Sequence, residues 1–382
     1  MFERVFKLSE HKTTVKTEVM AGITTFMTMA YILAVNPSVL GSTGMDTTAV
    51  LLATALASCL GTLCMAFMAN LPFALSAGMG LNAFMAYTVV AGYGYSWQVA
   101  LLAVFIEGLI FIVLSLTNIR EAIFNAIPLT LKKGVSVGIG LFIAFIGLQN
   151  SGLCVDSATL VGIISFPENF HTAGICALLT LIGLFFTAVF YTRKMKGAIL
   201  YGILLTWILG MLCQVTGLYV PTPDAGFYSL FPSWGMTDFS KLGLTFGQCF
   251  NVDFSAVGIV NFIVVIFSFL FVDIFDTLGT LIGVATKAKM LDKDGKLPGI
   301  KPALLADSIA PSAGAILGTS TTTTFVESAS GVAVGGRTGL TALVTGILFL
   351  VSTLFAPIFT AIPSFATAPA LIMVGFLMVG TV

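Results

Sequence analysis

The chain is predicted to be an all-α polytopic membrane protein, and three observations lead there. Of its 382 residues 57% are hydrophobic and only 9% are charged, with a mean hydropathy of +1.04, whereas soluble domains carry about 25% charged residues. Apolar windows near the ~20 residues needed to cross a bilayer recur along the whole length. The basic residues also sort to one side of those windows, as topology requires. A net charge of +0 gives no reason to expect a nucleic-acid partner.

The windows are 18–40, 48–70, 73–91, 97–117, 134–150, 172–192, 197–218, 257–285, 302–318, 319–336, 338–361 and 366–382. Met1 to Glu18 is charged and amphipathic, with no small-residue cleavage site after a short apolar core, so no cleaved signal peptide is expected. Arg120 to Lys133 alternates charge with Ile, Phe and Leu around Pro128 and reads as an interfacial helix. With the N-terminus inside, all basic residues except Lys241 fall on the inner side, 16 of 17.

The long outer loop Tyr219 to Ala256, with Pro221, Pro223 and Pro232, follows seven spans. An odd number turns the next half upside down, so a repeated second half has inverted topology, the architecture in which two broken segments meet at the midplane. The third span of each half has the matching character. Ser76 to Ala83 is small and Gly-rich, and Gly318 to Gly331 is a hydroxyl-rich run with one carboxylate. Neither makes a good lipid-facing helix, and irregular backbone is tolerated at membrane depth only where it lines protein or water. A second half of seven spans needs two more than the windows provide, so a fourteen-span fold with about twelve spans present, truncated at the C-terminus, is expected.

Few polar groups lie inside the spans. Asp273, Asp276 and Thr280 stand at i, i+3 and i+7, one face of a helix, near the middle of a long window where an unpaired carboxylate costs ~2.5–3.5 kcal/mol. That cost calls for a partner, a proton or a substrate. Glu327 is placed alike and is positioned to hold and release a proton. Glu107, alone in its span beside Gly108, and Asp307, beside Ser308 and Pro311, read as helix-packing residues. Asn82 is read equally as a ligand contact and as a brace for its broken segment. His11 and His171 lie outside the spans, so no histidine relay crosses the membrane. The six cysteines show no metal or redox spacing and read as buried thiols, with a Cys154–Cys249 pair as the minor alternative.

Four segments, Ala21–Pro37 (AGITTFMTMAYILAVNP), Ala77–Ala83 (AGMGLNA), Phe275–Thr280 (FDTLGT) and Thr322–Ser328 (TTTFVES), resemble the azaguanine-type purine permeases of the nucleobase-ascorbate transporter superfamily. Each is weak alone; four in order, in the first, third, eighth and tenth spans, are specific. The resemblance implies a core domain from residues 18–117 and 257–361, and a gate domain from 118–218 and the start of its second half at 362–382, with the outer loop at 219–256. It implies that Asp276 binds the base, that Glu327 is the tenth-span acid, and that Phe325, Val326, Asn82 and Thr25 contact the base. Uracil-type relatives carry a histidine one turn after the eighth-span acid; Thr280 stands here, which favours purine and leaves the proton route to Glu327, Asp273 and Asp276.

The chemistry agrees with that resemblance. A purine presents N–H donors on one edge and acceptors on another, which two carboxylates, an amide and backbone groups can read together, while Phe325 offers an apolar wall. The expected activity is import of hypoxanthine, guanine or adenine into the cell across the plasma or inner membrane, by proton symport and alternating access, with Na⁺ as the other coupling ion. The N-terminus is expected in the cytoplasm. No cofactor or metal is expected, and a homodimer is compatible with the fold. An anion carrier for sulfate or dicarboxylate shares the architecture, but two acids at the site repel such cargo. A cation channel needs a continuous polar pore. No His-Glu-x-x-His or Gly-x-Ser-x-Gly motif supports a membrane enzyme.

Overall fold

The computed structural model describes residues 2–379 apart from 118–127, 158–159, 223–225, 233–234, 255–256, 288–289 and 291–296. Its main elements in chain order are α1 (Val15–Met29), α2 (Ile32–Gly41), α3 (Thr47–Cys64), β1 (Leu75–Ala77), α4 (Met79–Ala83), α5 (Trp97–Leu116), α6 (Leu129–Asn150), β2 (Cys154–Ser157), β3 (Leu160–Ile163), α7 (Ile175–Thr192), α8 (Ala198–Val215), α9 (Ile259–Lys287), α10 (Ile300–Leu317), β4 (Thr322–Thr324), α11 (Ser328–Val334), α12 (Gly339–Ser352) and α13 (Ser364–Val379). Among the described residues seven helical stretches are long and apolar enough to cross a membrane, and Met79–Gly92, Val137–Asn150 and Ser364–Val379 are shorter apolar helices. The predicted interfacial helix lies, up to residue 127, outside the described residues.

The helix starts follow local chemistry. Thr14 accepts from the Thr17 N–H at the head of α1, Asp46 from Ala49 at α3, Ser96 from Val99 at α5 and Thr338 from Leu340 at α12, each satisfying a backbone donor that the first turn leaves open. α10 stops at Gly318, whose φ of 103° is open to glycine and strained for other residues. The chain then runs extended into β4.

The described chain forms two compact units, residues 1–135 with 237–356, and residues 136–236 with 357–382. In the first, α10 packs on α5 and α3, and α12 on α1 and α3. Met65, Phe73, Phe111, Ile274 and Leu281 form part of its apolar core. The Ser115 and Ser308 hydroxyls, 2.8 Å apart, tie α5 to α10. In the second, α7 packs on α8 and α13 through small residues: Gly183 faces the Thr206 side chain and Gly202 faces Thr187, each with no room for a Cβ. The Trp207 indole donates to the Leu230 carbonyl at 2.8 Å.

The second unit also holds a hairpin absent from the sequence reading, in which Cys154–Ser157 pairs antiparallel with Leu160–Ile163. Its strands are too short to show a period in the sequence. All six cysteines are free; Cys59, Cys176 and Cys249 are buried and the other three are half-buried.

Candidate functional site

The site is built where β1 and β4 meet in the first unit. They pair antiparallel with Leu75 opposite Thr324, Ser76 opposite Thr323 and Ala77 opposite Thr322. Two three-residue strands cannot stand alone, so the surrounding helices hold them by hydroxyl groups. Thr62 Oγ1 on α3 accepts from the Leu75 N–H at 3.0 Å, Ser58 bonds Ser76 at 2.7 Å, and Ser328 Oγ accepts from the Ala74 N–H at 3.0 Å. The hydroxyl-rich sequence therefore serves largely as bracing. Every residue from Thr319 to Thr324 is buried.

Three carboxylates complete the brace. Asp307 on α10 accepts from the Thr324 N–H at 3.0 Å, the Thr324 hydroxyl at 2.9 Å and the Thr277 hydroxyl at 2.7 Å. Asp273 on α9 lies 3.0 Å from the same Thr277 hydroxyl, which is also 2.6 Å from Thr323 Oγ1. Glu107 on α5 accepts from the Thr321 hydroxyl at 2.9 Å. All three acids are fully buried. Asp307 thus does more than pack a helix: it clamps β4 by main chain and side chain together.

Two further carboxylates are only half-buried, Asp276 and Glu327. Asp276, one turn past Asp273 on α9, reaches the β1–α4 junction, where its Oδ2 would stand 3.4 Å from a Cβ built on Gly78. A side chain at 78 would crowd both Thr323 and this oxygen. Glu327 sits just before α11, and its carboxyl does not cap that helix. Its Oε1 instead accepts from the Tyr31 hydroxyl at 2.9 Å. Asp276 and Glu327 are close enough for their charges to interact. Two half-buried carboxylates beside a pair of broken segments can receive N–H donors from a flat polar ligand.

The remaining sequence-predicted residues divide by exposure. Val326 is 51% exposed and Thr280 is partly exposed, whereas Phe325, Thr25 and Asn82 are buried. Thr25 packs against α11, its hydroxyl lying where a Cβ on Gly331 would fall, and donates to the Ala21 carbonyl. The Asn82 Oδ1 accepts from the Ser320 hydroxyl, joining the two broken segments, and its Nδ2 has no partner among the described residues. Sequence reading missed Tyr31 and Thr277. Both lie inside recognised segments, but only spatial neighbours reveal what they touch. A cavity of ≈ 590 Å³ in the second unit, lined by residues such as Gln149, Ser151, Tyr219 and Phe365, holds none of the predicted site residues. Among the described residues no group of three or more His, Cys, Asp or Glu is arranged to hold a metal ion.

Long apolar helices around two braced, half-extended segments with acids beside them define a membrane permease, not an enzyme. The chain belongs to the Permease family of xanthine/uracil type, whose model matches residues 16–382. It is 48% identical over 381 residues to a putative permease of Methanocaldococcus jannaschii, covering 100% of this chain and 82% of that one. It is 47% identical over 384 residues to the guanine/hypoxanthine permease PbuG of Bacillus subtilis (98% and 82% covered) and 43% identical over 382 residues to the adenine permease AdeP of Escherichia coli (99% and 80%). The transmembrane domain of the cyanobacterial bicarbonate transporter BicA shares the fold, with a TM-score of 0.67 at 15% identity, over 95% of this chain and 88% of that one.

Proposed function

We propose that the chain is a secondary transporter that imports purine nucleobases, guanine, hypoxanthine or adenine, by proton symport. The observation that carries the reading is the pair of half-buried acids, Asp276 and Glu327, at the junction of β1–α4 with β4–α11. The names of relatives at 43% and 47% identity support the cargo. Asp276 receives N–H groups of the base, Val326 and Thr280 contact it, and Glu327 carries the proton. Phe325, Asn82 and Thr25 act from beneath, by holding the segments in place.

In this reading the first unit is the core domain, the second is the gate domain, and the two halves of the chain are inverted repeats of a fourteen-span fold. Rocking of one against the other gives alternating access. The reading places the protein in the cell membrane with its N-terminus in the cytoplasm, an orientation that the distribution of basic residues supports. An anion cargo like that of BicA is disfavoured, because two carboxylates at the site repel it.

Uptake of radiolabelled hypoxanthine, guanine, adenine and uracil in a cell lacking its own purine uptake tests the proposal. Saturable purine accumulation that a protonophore collapses is expected. Glu327→Gln keeps base binding and loses accumulation, since an amide hydrogen-bonds but carries no proton. Protonophore-insensitive accumulation, or uracil in preference to purines, refutes the reading.

A further inference from the structure

The break between α1 and α2 places one residue against the proposed proton carrier. Helix α1 ends at Met29 and α2 begins at Ile32. Between them Tyr31 is 1% exposed and points its hydroxyl at Glu327 Oε1, 2.9 Å away. The neighbouring Thr28 hydroxyl donates to the Thr25 carbonyl at 2.8 Å and meets Glu327 at its main-chain carbonyl, at 3.5 Å, not at its carboxyl. The carboxyl is the side chain directly before α11, where an acid ordinarily turns back to cap the first backbone N–H groups. Here it makes no such bond. The phenol is the side chain that reaches the acid, which stays half-buried.

We infer that Tyr31 is a positioning residue for proton coupling: its hydroxyl orients the Glu327 carboxyl and sets the pH at which that acid gives up its proton. This rests on the reading of Glu327 as the proton carrier. A phenol donates a charge-assisted bond to the ionised carboxylate and only a weaker neutral one to the protonated acid. It therefore stabilises the ionised form over the protonated form. The other ionisable group whose charge reaches Tyr31 is Asp276, and behind Asp276 stand Asp273 and Asp307. Asp276, whose charge interacts with that of Glu327, is itself an acid and favours the protonated form of its neighbour, so Tyr31 opposes it. Without the phenol, Glu327 holds its proton to higher pH and releases it less readily on the cytoplasmic side.

Tyr31→Phe keeps the ring and its packing and removes only the donor. Infrared titration of the purified full chain follows the carboxylic C=O band that Glu327→Gln abolishes, a readout independent of cargo. In Tyr31→Phe the midpoint of that band is expected to move up by about one pH unit, a tenfold change in proton affinity. Glu327→Asp, whose carboxyl falls one methylene short of the phenol, shifts the same way although free aspartate is the stronger acid. Thr28→Val leaves the midpoint in place. A midpoint unmoved in Tyr31→Phe, a Thr28→Val shift of equal size, or no band that Glu327→Gln removes overturns the inference. In uptake assays the alkaline limb of purine accumulation moves with the band. Loss of purine uptake in the wild type alone counts against the purine importer, and the band decides Tyr31.

Discussion

The two units bury different things. The first buries carboxylates outright, Glu18, Glu107, Asp273 and Asp307, and keeps Asp276 and Glu327 half-open. The second buries none among its described residues; Asp156, Glu168, Arg193, Lys194 and Lys196 are all exposed, and its helices meet through Gly, Thr and aliphatic side chains. A buried acid is costly in a membrane protein unless hydrogen bonds hold it, and the first unit supplies them in number. Glu18 illustrates this, accepting from the N–H groups of Arg337, Thr338 and Thr341 and from the Thr341 hydroxyl. The acids of the proposed site thus lie in one unit, while the described helices of the other meet through small and aliphatic side chains.

The contrast breaks most sharply at Asp276. Its carboxylate is expected to receive two charge-assisted bonds from a bound purine, each contributing about 1.5–3 kcal/mol. Asp276→Ala is therefore expected to weaken binding by roughly a hundredfold or more, with folding nearly intact because the acid's own desolvation cost disappears as well. Calorimetric titration checks this, and near-wild-type affinity moves the chemistry elsewhere.

Asp307→Ala tests the bracing. It strands the N–H and hydroxyl of Thr324, and should cost about 3–5 kcal/mol of stability, measured as a fall in melting temperature in detergent. Asp273→Ala removes one contact to Thr277 and should cost less stability than Asp307→Ala, with a smaller loss of affinity than Asp276→Ala. If Asp307→Ala melts like the wild type, the β1–β4 pair is held by something else.

The second unit is probed by Gly202→Ala. The added methyl falls on Thr187 Oγ1, which already donates to the Gly183 carbonyl at 2.7 Å. Overpacking of this kind costs about 1–3 kcal/mol. Purine affinity per folded molecule should not change, and a changed Kd would show that ligand chemistry extends into this unit.

The smallest effect is expected at the outer edge of the first unit, where the Lys241 ammonium donates to Asp46 Oδ2 at 3.0 Å. Partial burial pushes the Asp46 carboxyl up, but the Ala49 N–H and Lys241 outweigh it and hold the carboxyl below the usual aspartate value. A depressed folded-state value gives stability that is present above the unfolded value of ~3.9 and is lost as pH falls through the folded one. Both side chains are partly exposed, at 39% and 29%, so the pair contributes under about 1 kcal/mol. Lys241→Met should lower the melting temperature slightly and equally from about pH 5 to 8, with the gap closing in acid. A gap that widens in acid refutes the assignment.

By itself the sequence determined what long-range composition controls. Helical class follows from apolar windows, because a bilayer admits only structures that satisfy their own backbone. The two broken segments were legible because Gly78, Gly80 and the run Thr319–Thr324 suit no lipid-facing helix. Asp276 and Glu327 stood out because charge is scarce in this chain, and four short motifs placed them in a family. Only the tertiary structure decided which polar groups are sealed against each other and which stay half-open. Asp273 and Asp276 share a helix face and differ by one turn, yet one is sealed under Thr277 and the other is half-open. Glu327 meets Tyr31 across 296 residues of chain. Hydrogen bonds of that separation depend on how helices cross, and crossing is fixed by packing among many side chains rather than by the spacing of any local pattern.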